Sequence, residues 1–228
     1  MSKEVVLFIQ TKYKHFGEGA GYYQFQRYIK ANKKVIFTKS LETKKIDKYI
    51  RGLLNAVPGY TFNDFLGELK GLLSVLLLGV RVIHYIDPEH GMCFLPGLLK
   101  KFSLLRKVRI VVTYHLPSSI LDKYLDKKAL EYVDFVTTVS KSQLKIIEHK
   151  NKQMVLHGVS NSHFRGFLKK KENFKKDEIT FVTVGSWLRD YSVLRKLASD
   201  FKVVNFIVIG SSENFDGLCN VKGLSGIS

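Results

Sequence analysis

Along the first two thirds of the chain, short unbroken apolar runs alternate with longer stretches at helical spacing. The runs are Val5–Ile9, Val35–Thr38, Val80–Ile86, Val108–Tyr114, Phe135–Val139 and Met154–Leu156. Unbroken apolar runs of this length suit strands of a parallel sheet covered on both faces. Between them the spacing predicts helices over Tyr22–Ala31, Ile46–Asn55, Asn63–Leu78, Leu95–Lys107, Ser119–Leu130 and Gln143–Lys150. Ser140 is the expected N-cap of the last. The helix over Asn63–Leu78 is so apolar that it is expected to lie deep in the fold. Strand and helix alternation predicts an α/β fold with a Rossmann-like parallel sheet.

The alternation pauses after Met154 and resumes at Ile179. Strands are expected over Ile179–Val184, Val203–Ile209 and Asn220–Lys222, with a helix over Tyr191–Ser199. The predicted organisation is a first Rossmann-like domain over 1–158, a Lys-rich linker over 159–178 and the incomplete start of a second Rossmann-like domain over 179–228.

Charge adds to this picture. The net charge is +17 in 228 residues. Residues 1–158 hold 26 Lys and Arg against 13 Asp and Glu, so most of the excess belongs to the first domain. Such a field favours anionic partners: a phosphate-bearing substrate, an anionic bilayer or nucleic acid. Nucleic acid ranks last and is not the expected partner, because no DNA- or RNA-binding motif is present. The two cysteines, Cys93 and Cys219, match no metal or redox spacing. The first residues run straight into a strand with no signal-peptide pattern, and the longest apolar run, Gly71–Val80, falls short of the roughly 20 residues that span a bilayer. A cytoplasmic location is expected, with a peripheral contact to membrane left open.

Open parallel sheets bind ligands beyond the carboxyl ends of their strands. That rule selects the candidate residues. Gly17, Glu18, Gly19 and Gly21 precede a predicted helix, where backbone N–H groups can meet an anion, although a plain turn explains them as well. His115 closes a strand, where it can bond a substrate hydroxyl or simply a loop carbonyl. His84, Asp87 and Ser118 lie near other strand ends, and His84 between Ile83 and Tyr85 also suits a packed position. In the second domain, Gly185, Ser186 and Arg189 follow a strand, and Trp187 is able to stack or to pack. The stretch Leu95–Arg109 interleaves leucines with Lys100, Lys101, Phe102, Arg106 and Lys107. It suits an interfacial helix on anionic lipid, or an ordinary helix with its apolar side on the sheet. No paired-carboxylate pattern for acid–base chemistry, zinc motif or nucleophile elbow stands out.

Order and spacing give these pieces a family likeness. The chain resembles the GT-B glycosyltransferases, in particular the retaining family 4 group. The resemblance rests on Gly17–Gly21 after the first strand, Val111-Val-Thr-Tyr-His115, Val133–Ser140 and Leu156-His157-Gly158-Val-Ser-Asn-Ser-His-Phe164. It continues through Val184-Gly185 with Arg189, and Val208-Ile-Gly210. Two departures stand against it. Gly185-Ser186 and Arg189-Asp190 replace the family's usual Gly-Arg and Lys-Gly, and no Glu pair of the E-x7-E type follows.

The resemblance implies transfer of a sugar from a nucleotide-sugar donor to a glycan, lipid or other acceptor, with retained configuration and no metal or other cofactor. It implies that the first domain binds acceptor and that His115 and Arg189 serve the transfer. Gly17, Glu18, Gly19, Gly21, His157, Gly158, Gly185, Ser186 and Arg189 are then on donor phosphates, with His84, Asp87 and Ser118 on the acceptor side. The missing Glu pair keeps an alternative open: a non-catalytic acceptor-domain remnant or subunit that binds substrate, membrane or a second chain supplying the donor half.

Overall fold

The computed structural model describes residues 5–12, 32–39, 44–102, 107–156, 179–185, 190–211 and 213–224. The chain divides into two compact units, Met1–Phe164 and Arg165–Ser228.

Unit 1 is built on a six-stranded, wholly parallel sheet. Its strands are β1 (Val5–Lys12), β2 (Asn32–Lys39), β3 (Val80–Tyr85), β4 (Arg109–Tyr114), β5 (Phe135–Thr138) and β6 (Lys152–Met154). Their spatial order is β2-β1-β3-β4-β5-β6, a Rossmann-like α/β arrangement. The central strands are apolar on both faces because both are covered: Leu7, Phe8, Ile9, Ile83, Ile110, Val112 and Val136 are all buried. The helices are α1 (Lys44–Leu54), α2 (Phe62–Leu78), α3 (Pro88–Gly91), α4 (Leu95–Lys101), α5 (Ser118–Tyr124), α6 (Lys127–Leu130) and α7 (Lys141–Ile146).

Several elements differ from the pattern read in the sequence. The last strand lies earlier than Met154–Leu156, because Val136, Thr137 and Thr138 pair with Lys152, Gln153 and Met154. Its polar side chains suit an edge. The helix expected over Ser119–Leu130 breaks into α5 and α6: Leu125 is extended, and Asp126 accepts the Ala129 N–H at 2.9 Å to start a new helix. Helix α4 ends at Lys101, well short of Lys107. The short helix α3 had no periodic signal.

Helix α2 begins with a reciprocal capping box. The Asp64 N–H donates to Thr61 Oγ1, and Asp64 Oδ2 accepts the Thr61 N–H at 2.9 Å. Its inner face is set by Gly67 and Gly71, where a Cβ would stand 2.4 Å from Thr38 Cγ2 and 3.1 Å from Ile9 Cδ1. These two positions let the helix lie close against β1 and β2. The expectation of a deeply buried helix holds for that face alone, since Leu69, Leu73, Leu76 and Leu77 on the other are exposed.

Unit 2 carries a parallel sheet of three strands, β7 (Thr180–Val184), β8 (Asn205–Ile209) and β9 (Val221–Leu224), in that order, with α8 (Ser192–Asp200) between the first two. Tyr191, Val208 and Phe215 form its small core. Asn220 steadies the end of α8, its amide donating to the carbonyls of Ala198, Phe201 and Val204.

Candidate functional site

The carboxyl edge of the unit 1 sheet gathers buried polar groups that the packing leaves open. The segment after β3 makes this possible. Strand β3 lies between β1 and β4, and the Ile86 N–H donates to Ile9 O at 3.0 Å, so Asp87-Pro88-Glu89 turns back over both neighbours. Asp87 accepts the backbone N–H of Thr11 on β1. Glu89, two residues on, accepts from β4 with one oxygen: its Oε1 takes the N–H of His115 in a short bond and that of Leu116 at 2.8 Å. Asp87 is thus held by backbone of β1 and Glu89 by backbone of the loop after β4.

The other oxygens face no partner among the described residues. Among the described residues, nothing bonds Asp87 Oδ2, Glu89 Oε2, Thr11 Oγ1 or Tyr114 OH, all of them buried. A buried polar atom without a partner is costly, commonly about 1–3 kcal/mol. Four such atoms on residues near one sheet edge make this edge the candidate for polar ligand atoms.

Burial governs the protonation of this group. It pushes the Glu89 carboxyl up to about 7, against the backbone N–H groups of His115, Leu116 and Glu89 itself, which favour the charged form. Burial and then the negative charge of Glu89 hold Asp87 well above the usual carboxylate range. Two acidic groups in such a poorly solvated setting resist being ionised together. A protonated carboxyl donates a hydrogen bond as well as accepting one. The sequence reading had found no paired carboxylates. It picked out Asp87 by its place at a strand end and missed Glu89, whose only signal was a two-residue spacing across a proline.

His115, half-buried, leads the loop after β4. That loop is clamped from both sides: Glu89 takes the N–H groups of residues 115 and 116, and buried Gln143 donates to Leu116 O at 2.7 Å. Gln143 Oε1 in turn accepts the N–H groups of Val139 and Ser140, completing the capping box of α7. Ser118 is the first residue of α5, at the far end of the same loop.

His84 sits inside the structure, with its ring 5.5 Å from that of Phe8. Its Nε2 meets Thr113 Oγ1 at 2.7 Å, Thr113 meets Thr137, and Thr137 Oγ1 donates to Val112 O at 2.9 Å. Since the last hydroxyl spends its proton on a carbonyl, Thr113 must donate to Thr137 and His84 must donate through Nε2. Burial lowers this imidazole to about 4, so it is neutral.

Gly185 closes β7 at φ 107°, a conformation natural to glycine, and its N–H donates to Ile209 O at 2.9 Å. Its carbonyl accepts the Tyr191 hydroxyl. Gly17, Glu18, Gly19, Gly21, Arg106, His157, Gly158, Ser186, Trp187 and Arg189 lie outside the described residues. Around α4 the apolar side chains of Leu95 and Leu99 are fully buried in the core. Lys100 reaches Asp134 at 2.7 Å and Val108 O at 3.0 Å, while Lys101, Phe102 and Lys107 are exposed. No group of three His, Cys, Asp or Glu able to hold a metal occurs among the described residues.

No family model and no curated protein matches the sequence. Solved structures share a similar course of the chain at low identity. HepE of Anabaena, solved with UDP, is 12% identical with a TM-score of 0.49, the alignment covering 96% of this chain and 68% of that one. MurG of Acinetobacter baumannii is 10% identical with a TM-score of 0.45, covering 98% and 68%. The UDP-GlcNAc 2-epimerase of Methanocaldococcus jannaschii, solved with UDP-GlcNAc and UDP, is 11% identical with a TM-score of 0.46, covering 97% and 73%. Likeness at this level assigns neither a family nor a reaction.

Proposed function

We propose that this chain is a GT-B type glycosyltransferase, moving a sugar from a nucleotide-sugar to an acceptor hydroxyl with retention at the anomeric carbon. The observation that carries the reading is the open carboxylate pair, Asp87 and Glu89, beside Thr11, Tyr114 and His115 at the sheet's carboxyl edge. Buried carboxyls with raised proton affinity both accept from and donate to hydroxyls, which suits a polyhydroxylated ligand better than an apolar or purely anionic one. The unspent hydroxyls of Thr11 and Tyr114 extend the same capacity.

In this reading unit 1 holds the acceptor. The acceptor oxygen attacks the anomeric carbon, the bond from that carbon to the phosphate oxygen breaks, and the nucleoside diphosphate leaves with the acceptor's proton on its departing oxygen. His115 and the ionised member of the pair orient the attacking hydroxyl. Arg189 is assigned to the charge growing on the diphosphate, a role suited to a preorganised cation, and the backbone at Gly17–Gly21, His157-Gly158 and Gly185-Ser186 to the remaining phosphate contacts. The scheme uses protein donors where other enzymes use a metal.

Calorimetric titration of the full chain with UDP- and GDP-sugars, followed by mass spectrometry of reactions with mixed glycan and lipid acceptors, tests it. Saturable binding that Arg189→Ala weakens, with a glycosylated product that His115→Ala abolishes, is the expected result. Absence of binding at millimolar donor removes the reading. Binding without product points instead to a non-catalytic module.

A further inference from the structure

Helices α1 and α2 carry an apolar surface with no covering element among the described residues. On α2, Leu69, Leu73, Leu76 and Leu77 follow helical spacing on the side opposite Asp64, Gly67, Gly71 and Val75. Leu77 is 77% exposed. On α1, Ile46, Tyr49 and Leu53 repeat the pattern, with Tyr49 70% exposed. The two helices are joined where Asp47 Oδ1 accepts the Phe62 N–H at 2.8 Å. Exposed apolar side chains in such number mark a contact surface rather than scattered surface leucines.

Charge selects the partner. Asp47, Asp64 and Glu68, the acidic residues of the described stretch 44–81, are all buried. Lys45, Lys48, Lys70 and Arg81 of the same stretch are exposed. Within this described stretch the exposed charges around the leucines and Tyr49 are all cations. A second copy of the chain would bring like charge against like. A zwitterionic bilayer would leave the lysines unanswered, and nucleic acid would leave the leucines in water. We propose that the α1–α2 face of unit 1 docks on an anionic lipid bilayer, the leucines and Tyr49 entering the headgroup boundary and the lysines meeting lipid phosphates.

The contact is peripheral, since no helix among the described residues is long and apolar enough to cross a membrane. Leu76, Leu77 and Leu78 directly precede Gly79 and β3, so they stand at the amino edge of the sheet, the edge opposite Asp87 and Glu89. Docking thus leaves the carboxyl edge open to ligands. It also differs in place from the lipid contact considered for Leu95–Arg109, whose Leu95 and Leu99 are spent in the core.

Co-sedimentation of the full chain with phosphatidylcholine vesicles, with and without 30 mol% phosphatidylglycerol, at about 0.05 and 0.3 M salt, tests the proposal. Binding is expected only with the anionic lipid, and weaker at high salt. The double variant Leu73→Ser, Leu77→Ser should bind at least tenfold less. Lys45→Ser and Lys48→Ser should each cost about fivefold, the share of one cation near an anionic surface. Thermal melts of the variants check that these exposed positions leave the fold intact. Equal binding to both vesicle types, or leucine variants that bind as well as the parent, overturns the proposal. So does a parent that ignores lipid but dimerises through this face in sedimentation velocity, a dimer that the leucine variants abolish.

Discussion

Two glutamates of unit 1 are equally buried and are used in opposite ways. Glu68, from α2, is saturated. It accepts the hydroxyls of Tyr60 and Tyr85 at 2.9 and 2.8 Å and the N–H groups of Cys93, Phe94 and Leu95 at 3.0, 3.0 and 3.3 Å. It thereby caps α4 from another helix. Glu89 spends one oxygen on the loop after β4 and leaves the other without a partner among the described residues. Burial raises both carboxyls to about 7. A raised carboxyl therefore does not by itself mark a site. The count of donors around it separates a structural hub from a group held ready for a ligand.

Removing the hub should have the largest effect. Glu68→Ala strands two hydroxyls and three N–H groups, and a loss of about 4 kcal/mol in urea unfolding is expected, near the cost of breaking a buried ionic network. A loss below about 1 kcal/mol would erase the distinction from Glu89. At the carboxyl edge the order of effects reverses. Glu89→Gln keeps an oxygen for the His115 and Leu116 N–H groups, so stability should hold within about 1 kcal/mol. Transfer to the acceptor should fall about a hundredfold, or roughly 2.7 kcal/mol in the barrier, because the amide cannot take up or release the carboxyl's proton. Full turnover by this variant would take the pair out of the chemistry.

The pH dependence of folding reads both glutamates at once. Their folded carboxyls hold protons more tightly than the unfolded value near 4.5, so each contributes stability that is lost as pH rises through about 7. His84, lowered to about 4, works the other way and only below its unfolded value near 6.5. Between pH 6.5 and 8 the raised carboxyls, Asp87 among them, dominate, and stability should drop by about 1–2 kcal/mol or more. Denaturant midpoints at the two pH values test this, and Glu89→Gln should make the drop smaller. The smallest effect concerns the His84 relay: Thr113→Val leaves His84 and Thr137 short of a partner and should cost about 1 kcal/mol, without altering donor binding.

The strands of unit 1 were legible because burial on both faces writes an unbroken apolar run, as at Val5–Ile9 and Val108–Tyr114. Capping boxes at Thr61–Asp64 and Ser140–Gln143 are local, and Ser140 could be picked out from its neighbours. The break between α5 and α6 was hidden, because Leu125 and Asp126 fit a helical pattern until the tertiary contacts are made. For Leu95–Arg109 an interfacial and an ordinary helix both fitted the pattern, and the burial of Leu95 and Leu99 matches the ordinary one. Spacing shows that a helix has an apolar side but not what that side faces. Helix α2 is the mirror case, since its excess of leucine suggested depth and half of it meets solvent.

The sequence by itself determined the parallel α/β architecture and the order of its elements, because these follow from periodicity and local capping. It also determined the strong positive charge. Tertiary structure alone decided that Asp87 and Glu89 form a pair held by β1 and the loop after β4, that Glu68 is a hub, and that the exposed charges beside the α2 leucines are cationic. Each of these depends on which strands become neighbours and which carboxylates are drawn inside. Residues 11, 87, 89 and 115 are scattered along the chain and meet only when the sheet forms.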